Sequence, residues 1–145
     1  MTNQDYNRQN QGLKAALYIV ATPIGNLADL TYRAHQILAQ ADQIFAENPR
    51  YSLKLLNHYQ LPAKGRLKQY SEQAGLNLRK TIADLIEQGQ AVALISDAGT
   101  PLISDPGYKL VAYLQAHSLP VETIPGPSSV ISALTLAALP TANFY

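Results

Sequence analysis

The chain has 145 residues, of which 47% are hydrophobic and 14% charged, with a formal net charge of +1; that length suits one core-bearing domain and is short for two. No cysteine is present, which excludes disulfides, thiolate nucleophiles and cysteine metal sites together. The near-neutral charge excludes the strong electrostatic footprint of a segment that grips nucleic acid on its own.

A charge fraction well below the usual quarter or so suits a sheet covered on both faces, and an apolar surface that expects a partner. No apolar run approaches the roughly 20 residues of a membrane span, and the N-terminus is too polar for a secretory signal. A cytoplasmic protein with no membrane partner is expected. His35, His58 and His117 lie apart along helical segments and read as surface or partly packed side chains, so no metal is expected.

Residues 1–15 are rich in Asn, Gln and Asp with little to bury, the pattern of a flexible leader. Leu17 to Ala21, LYIVA, is a short apolar run that reads as a buried strand. It ends in the polar loop Thr22-Pro23-Ile24-Gly25-Asn26. Leu30, Ala34, Ile37, Leu38 and Ala41 then recur at helical spacing, with Asp29 near the cap. Gln43 to Glu47 reads as a second strand, followed by Asn48-Pro49-Arg50 and a short helix through Leu53, Leu56 and Tyr59. Arg66 to Tyr70 reads as a third, shorter strand. Leu78, Ile82, Leu85 and Ile86 mark a helix face, and Gly89 sits where a left-handed residue closes a helix.

Ala91 to Ile95 is an uninterrupted apolar run that breaks into Ser96-Asp97-Ala98-Gly99-Thr100-Pro101 and then Ser104-Asp105-Pro106-Gly107. This polar insert exceeds the 2–6 residues or so of a plain strand-to-helix connection. Asp105 is a candidate N-cap with Pro106 as the first helical residue, opening a helix to Ala116 with Leu110, Val111 and Leu114 inward. Val121 to Pro125 is a fifth strand, and about Ser128 to Ala138 a last helix, apolar on most sides.

Strands alternating with helices imply parallel pairing through right-handed crossovers. The expected fold is α/β, a three-layer αβα sandwich on a mostly parallel five-stranded sheet. Three strands end in loops of small and ring-constrained residues: TPIGN (22–26), SDAGTP (96–101) and PGPSS (125–129). In a parallel sheet they share one edge, where ligands bind. None matches the glycine fingerprints of dinucleotide or phosphate loops. Backbone and hydroxyls with few cations suit a neutral or zwitterionic ligand such as an adenosine derivative.

The runs LYIVATPIGNLADLTYRA, LISDAGTPLISDPG and IPGPSSVISALTLAALPT, with the segment Glu47 to Arg50, resemble the tetrapyrrole methylase fold family of S-adenosylmethionine-dependent enzymes. The wording is that of its branch acting on ribose in small-subunit ribosomal RNA. The likeness spans about Leu17 to Tyr145. It implies S-adenosylmethionine as cofactor, folded in a cleft between two αβα lobes, and methylation of a cytidine 2′-hydroxyl in the decoding region of 16S rRNA. It also implies a homodimer.

Carried onto matching positions, Pro23 faces the cleft. Gly99, Thr100, Pro101, Leu102 and Ile103 form the loop that holds the methionine part of the cofactor, and Pro127, Ser128 and Ser129 form a second cofactor-lining turn. Thr100 stands where many relatives carry Asp. That branch reads Glu-Asp-Thr-Arg where this chain has Glu47-Asn48-Pro49-Arg50, and a His/Glu/Asn-rich segment in place of Tyr70-Ser71-Glu72-Gln73. Both segments are expected to face substrate. A second lobe would begin just after Leu139-Pro140-Thr141. The 145 residues thus correspond to the N-terminal lobe (16–145), one wall of a two-walled pocket, in a fragment or a shortened relative inactive by itself.

Glu47 and Asp97 are the carboxylates at strand ends that suit a catalytic base, and Arg50 suits an RNA phosphate. Alternatives stand beside these roles: Glu47 as a loop carboxylate paired with Arg50, and Asp97 as a turn residue accepting backbone amides. For the whole chain, the alternatives are a non-catalytic binding or dimerisation module and a methylase of a corrin- or porphyrin-like substrate.

Overall fold

The computed structural model describes residues 12–144. Five strands, β1 (Ala16–Val20), β2 (Gln43–Ala46), β3 (Leu67–Gln69), β4 (Ala91–Ile95) and β5 (Val121–Ile124), alternate along the chain with five helices, α1 (Tyr32–Gln40), α2 (Pro49–His58), α3 (Gly75–Glu87), α4 (Tyr108–Ala116) and α5 (Ser129–Leu136). The strands form one sheet in the order β3-β2-β4-β1-β5, and every pair is parallel. This is the expected αβα architecture.

Because successive strand side chains point to opposite faces, each short apolar run feeds two cores. Tyr18, Val20, Ile44, Ala46, Ala93 and Ile95 meet Ala34, Ile37 and Leu38 of α1 and Leu56 of α2. On the other face Leu17, Phe45, Val92 and Leu94 meet Ile82, Ala83 and Ile86 of α3 and Leu110 and Leu114 of α4. β4 is buried at all five positions, so it reads as continuous apolar sequence rather than alternation.

From β1 the chain crosses to β2, and from β4 it crosses the other way to β5. The order reverses at the adjacent pair β1 and β4, and their loops depart in opposite directions over opposite faces. An antiparallel bridge ties them: the Thr22 amide donates to the Gly99 carbonyl at 2.9 Å, and the Gly99 amide returns the bond to Thr22 at 3.1 Å. Gly99 holds this position at φ 73°, where a side chain is strained.

Four expectations need correction. Asp105 and Pro106 do not open α4: Gly107, at φ 131°, occupies the N-cap, and a Cβ there would lie 2.9 Å from Leu94 and Leu102 side-chain atoms. The cap comes instead from a distant carboxylate, Glu72, whose Oε1 accepts the Gly107 amide at 2.7 Å and the Lys109 amide at 3.4 Å. A negative charge there also meets the positive end of the helix dipole. Asp29 belongs to a 3₁₀ turn, Leu27–Asp29, and α1 is capped by Thr31, whose Oγ1 accepts from the Ala34 amide at 3.1 Å. Tyr70, expected in an open substrate-facing segment, is 1% exposed and packs in the α3–α4 core. Of the expected leader, residues 1–11 lie outside the described residues, while Leu13 and Ala15 already pack against the two cores.

The substitution of Asn48-Pro49 has a local structural role. Asn48 Oδ1 caps α2 by accepting the Tyr51 amide at 3.4 Å, and Pro49 takes the first helical position, where its missing N–H costs nothing. His35 and His58 stand edge-on to the Tyr59 ring. Among the described residues no helix is long and apolar enough to cross a membrane.

Candidate functional site

The three loops meet at the carboxyl edge of the sheet. Ile24 from the first, Gly99, Thr100 and Ile103 from the second, and Ser128 and Ser129 from the third line one pocket of ≈ 330 Å³. Close packing brings the third loop in: a Cβ on Gly126 would lie 2.9 Å from Ala21 Cβ at the end of β1. Ser128 caps α5 by accepting the Ile131 amide at 3.4 Å. Among the described residues no charged side chain lines this pocket. A phosphate would find no cation here, whereas a zwitterion or an uncharged ring finds amides, hydroxyls and apolar walls.

The remaining residues expected at the cofactor divide. Pro101 is buried, and Leu102, at φ 76°, packs into the α3–α4 core. Both shape the loop from behind. Pro127 is partly buried beside Ser128. Pro23, though adjacent to Ile24, faces away from this pocket and lines a second cavity of ≈ 320 Å³ with Thr22, Tyr51, Ser52, Leu55 and Asp97. The two loops thus divide between two cavities on either side of the Thr22–Gly99 bridge, with Ile24, Ala98, Gly99 and Thr100 at the first and Thr22, Pro23, Gly25, Ser96 and Asp97 at the second.

Glu47 lies in a third concavity, with Asn48, Gln69, Ser71, Gln73 and Pro106 among its walls. Tyr70 and Glu72 complete its lining, Tyr70 as a buried wall. Burial pushes the Glu47 carboxyl above its ordinary value, and the charges of Asp105 and Asp97 push it further. Asp97 is raised by burial as well, with the Asn48 amide pulling it back and Asp105 opposing that. Carboxylates held above their usual range at a strand end take up a proton more readily than free ones. Arg50 is exposed, and the described residues include no ion pair between it and Glu47; the pair found is Arg79 with Glu72, at 4.0 Å.

Ser52 was not singled out by sequence. It is 2% exposed and its Oγ has no hydrogen-bond partner among the described residues. The available signal was spacing: Ser52, Leu55 and Leu56 fall at i, i+3 and i+4, the core-facing pattern of a helix, with a hydroxyl where a third apolar group would ordinarily sit.

The sequence pattern of the tetrapyrrole (corrin/porphyrin) methylases matches residues 16–145. A ribosomal RNA small subunit methyltransferase I of Halalkalibacterium halodurans is 44% identical over 99% of this chain and 48% of its own length. One of Mesorhizobium japonicum is 52% identical over 91% of this chain and 44% of its own length. The chain therefore spans about half the length of the curated relatives it matches. Among solved structures, a uroporphyrin-III C-methyltransferase of Thermus thermophilus superposes with a TM-score of 0.61 at 25% identity, over 88% of this chain and 55% of that one. A crystal structure of that activity from the same organism is complexed with S-adenosylhomocysteine and superposes with a TM-score of 0.59 at 21% identity, over 81% and 47%. Pattern, relatives and fold agree: the chain belongs to the tetrapyrrole (corrin/porphyrin) methylase family.

Proposed function

We propose that this chain forms the cofactor-binding half of an S-adenosylmethionine-dependent methyltransferase that modifies small-subunit ribosomal RNA, at the 2′-hydroxyl of a cytidine in the decoding region of 16S rRNA. The observation that carries the reading is the convergence of the three loops on one uncharged pocket at the carboxyl edge, where the strand order reverses. The relatives named as ribosomal RNA small subunit methyltransferase I support the RNA substrate.

Gly99 and Thr100 offer backbone and hydroxyl groups to the methionine end of the cofactor, and Ser128 and Ser129 border the rest. When bound, the cofactor supplies a methyl group on a sulfonium. The chain's own contribution is to hold donor and acceptor in line, which can account for much of the acceleration. The hydroxyl proton passes to the Glu47–Asp97 carboxylate pair, and Arg50 at the rim holds a phosphate. A second lobe, matching the half of the relatives that this chain does not span, closes the pocket, so this half alone turns over no substrate. The exposed Val130, Ile131 and Leu136 of α5 offer an apolar surface to that lobe or to the partner in a homodimer. A ribosomal substrate implies a cytoplasmic location.

The test is a titration of the isotopically labelled chain with S-adenosylhomocysteine, followed through backbone amide resonances. Saturable shifts at Gly99, Thr100, Ser128 and Ser129 are expected, and Gly99→Val should abolish them because valine is strained at φ 73° and is pressed toward Ile24. A folded chain whose three loops do not respond sinks the reading.

A further inference from the structure

The cavity on the α2 side of the bridge differs from the cofactor pocket in its polar atoms. Two are buried without partners among the described residues: Ser52 Oγ and Asp97 Oδ1. A buried polar atom left unpaired costs about 1–3 kcal/mol, so two on one cavity wall point to a ligand that pairs them. The neighbouring hydroxyls are already engaged. Thr22 Oγ1 donates to the Ser96 carbonyl at 3.3 Å, and Ser96 Oγ donates to the Ala98 carbonyl at 3.2 Å.

The free set is therefore one hydroxyl and one carboxylate oxygen, between the apolar surfaces of Pro23 and Leu55 and the Tyr51 ring, which is half exposed. Flat apolar walls with a few directed polar atoms are the setting of a heteroaromatic ring. The carboxylate requires an N–H donor, and the hydroxyl can donate to an adjacent ring acceptor. Asp97, with Glu47 and Asp105 close enough to act on one another, disfavours an anionic ligand inside. Lys54 on the cavity wall and Arg50 on the exposed start of α2 can take a phosphate outside.

We propose that this cavity seats the acceptor nucleobase, turned out of the RNA chain, and that it selects a base with an exocyclic amine beside a ring acceptor, as in cytosine: Asp97 accepts from the amine and Ser52 Oγ donates to the ring nitrogen. The proposal rests on the methyltransferase reading above. It sets cofactor and acceptor on opposite sides of the Thr22–Gly99 bridge, commits Asp97 to the base edge, and leaves Glu47 as the uncommitted member of the carboxylate pair.

The probes are cytidine and uridine 5′-monophosphates at millimolar concentration, titrated separately into the labelled chain. Cytidine monophosphate should shift Tyr51, Ser52 and Asp97 saturably, with uridine monophosphate about tenfold weaker because its carbonyl faces a carboxylate. Asp97→Asn, whose amide can donate to that carbonyl, should erase the preference. Ser52→Ala, a deletion that the buried site accommodates, should weaken cytidine monophosphate about tenfold. Equal binding of the two nucleotides, shifts confined to Arg50 and Lys54, or no response overturns the proposal. The S-adenosylhomocysteine titration reads different residues, so the subsite and the cofactor pocket can fail independently.

Discussion

β4 and α5 are both apolar in sequence and differ completely in packing. β4 is buried at every residue and pairs with β1 on one side and β2 on the other. α5, the most apolar of the helices, buries none of its residues and leaves Leu136 86% exposed. Apolar character alone thus does not define the core; it marks surface that needs a cover, which the sheet provides at β4 and the described residues do not provide at α5. The cofactor pocket draws loops from both kinds of region, so part of its wall is fixed by the core and part lies against it through the Ala21 amide bond to the Ile124 carbonyl, at 3.1 Å, and the close approach of Gly126 to Ala21.

Truncation should separate the two regions most sharply. Phe45→Ala, in the α3–α4 core, should cost about 3–5 kcal/mol in chemical denaturation, whereas Ile131→Ala on α5 should stay within about 0.5 kcal/mol. Comparable losses would mean that α5 is packed in solution. Gly126→Val probes the join between the regions. Its side chain collides with Ala21 and should displace the third loop, weakening S-adenosylhomocysteine binding at least about tenfold for a stability loss of about 1–3 kcal/mol. Undiminished binding would show that the third loop is not part of the pocket.

The smallest effect is electrostatic. Glu47 is raised above its ordinary value in the folded state, so its charged form opposes folding. That penalty is complete above the raised native value, shrinks as pH falls through it, and is gone below the unfolded value near 4.5. Glu47→Gln should therefore raise Tm slightly at neutral pH and lose its advantage in acid. An advantage that instead grew in acid would reverse the sign assigned to Glu47.

Much of this arrangement was legible in the sequence. Runs such as LYIVA and AVALI read as buried strands, and the loops after them stood out by their glycines and prolines. What escaped was whatever depended on residues distant in the chain. The cap of α4 was read as Asp105 from local rules, but Glu72 reaches it from 35 positions away, and no local pattern encodes that. Ser52 was invisible because an unpaired buried hydroxyl is a property of its surroundings, not of its neighbours in sequence. Tyr70 was expected at the substrate side because its segment follows a strand, yet its ring is 1% exposed in the core, and the neighbouring Ser71, Glu72 and Gln73 carry the segment into the concavity beside Glu47. Asp29 was expected near the cap of α1, and the cap itself is Thr31, two positions on, within the usual uncertainty of helix ends.

The position of β1 has a consequence for synthesis. Among the described strands it leaves the ribosome first, yet its sheet partners begin at Ala91 and Val121. At a translation rate of about 5–20 residues per second, the LYIVA segment waits several seconds with its edges unpaired. Non-local parallel pairing of this kind folds slowly and leaves nascent chains open to aggregation, so newly made copies of this protein should depend on chaperones far more than the finished fold does.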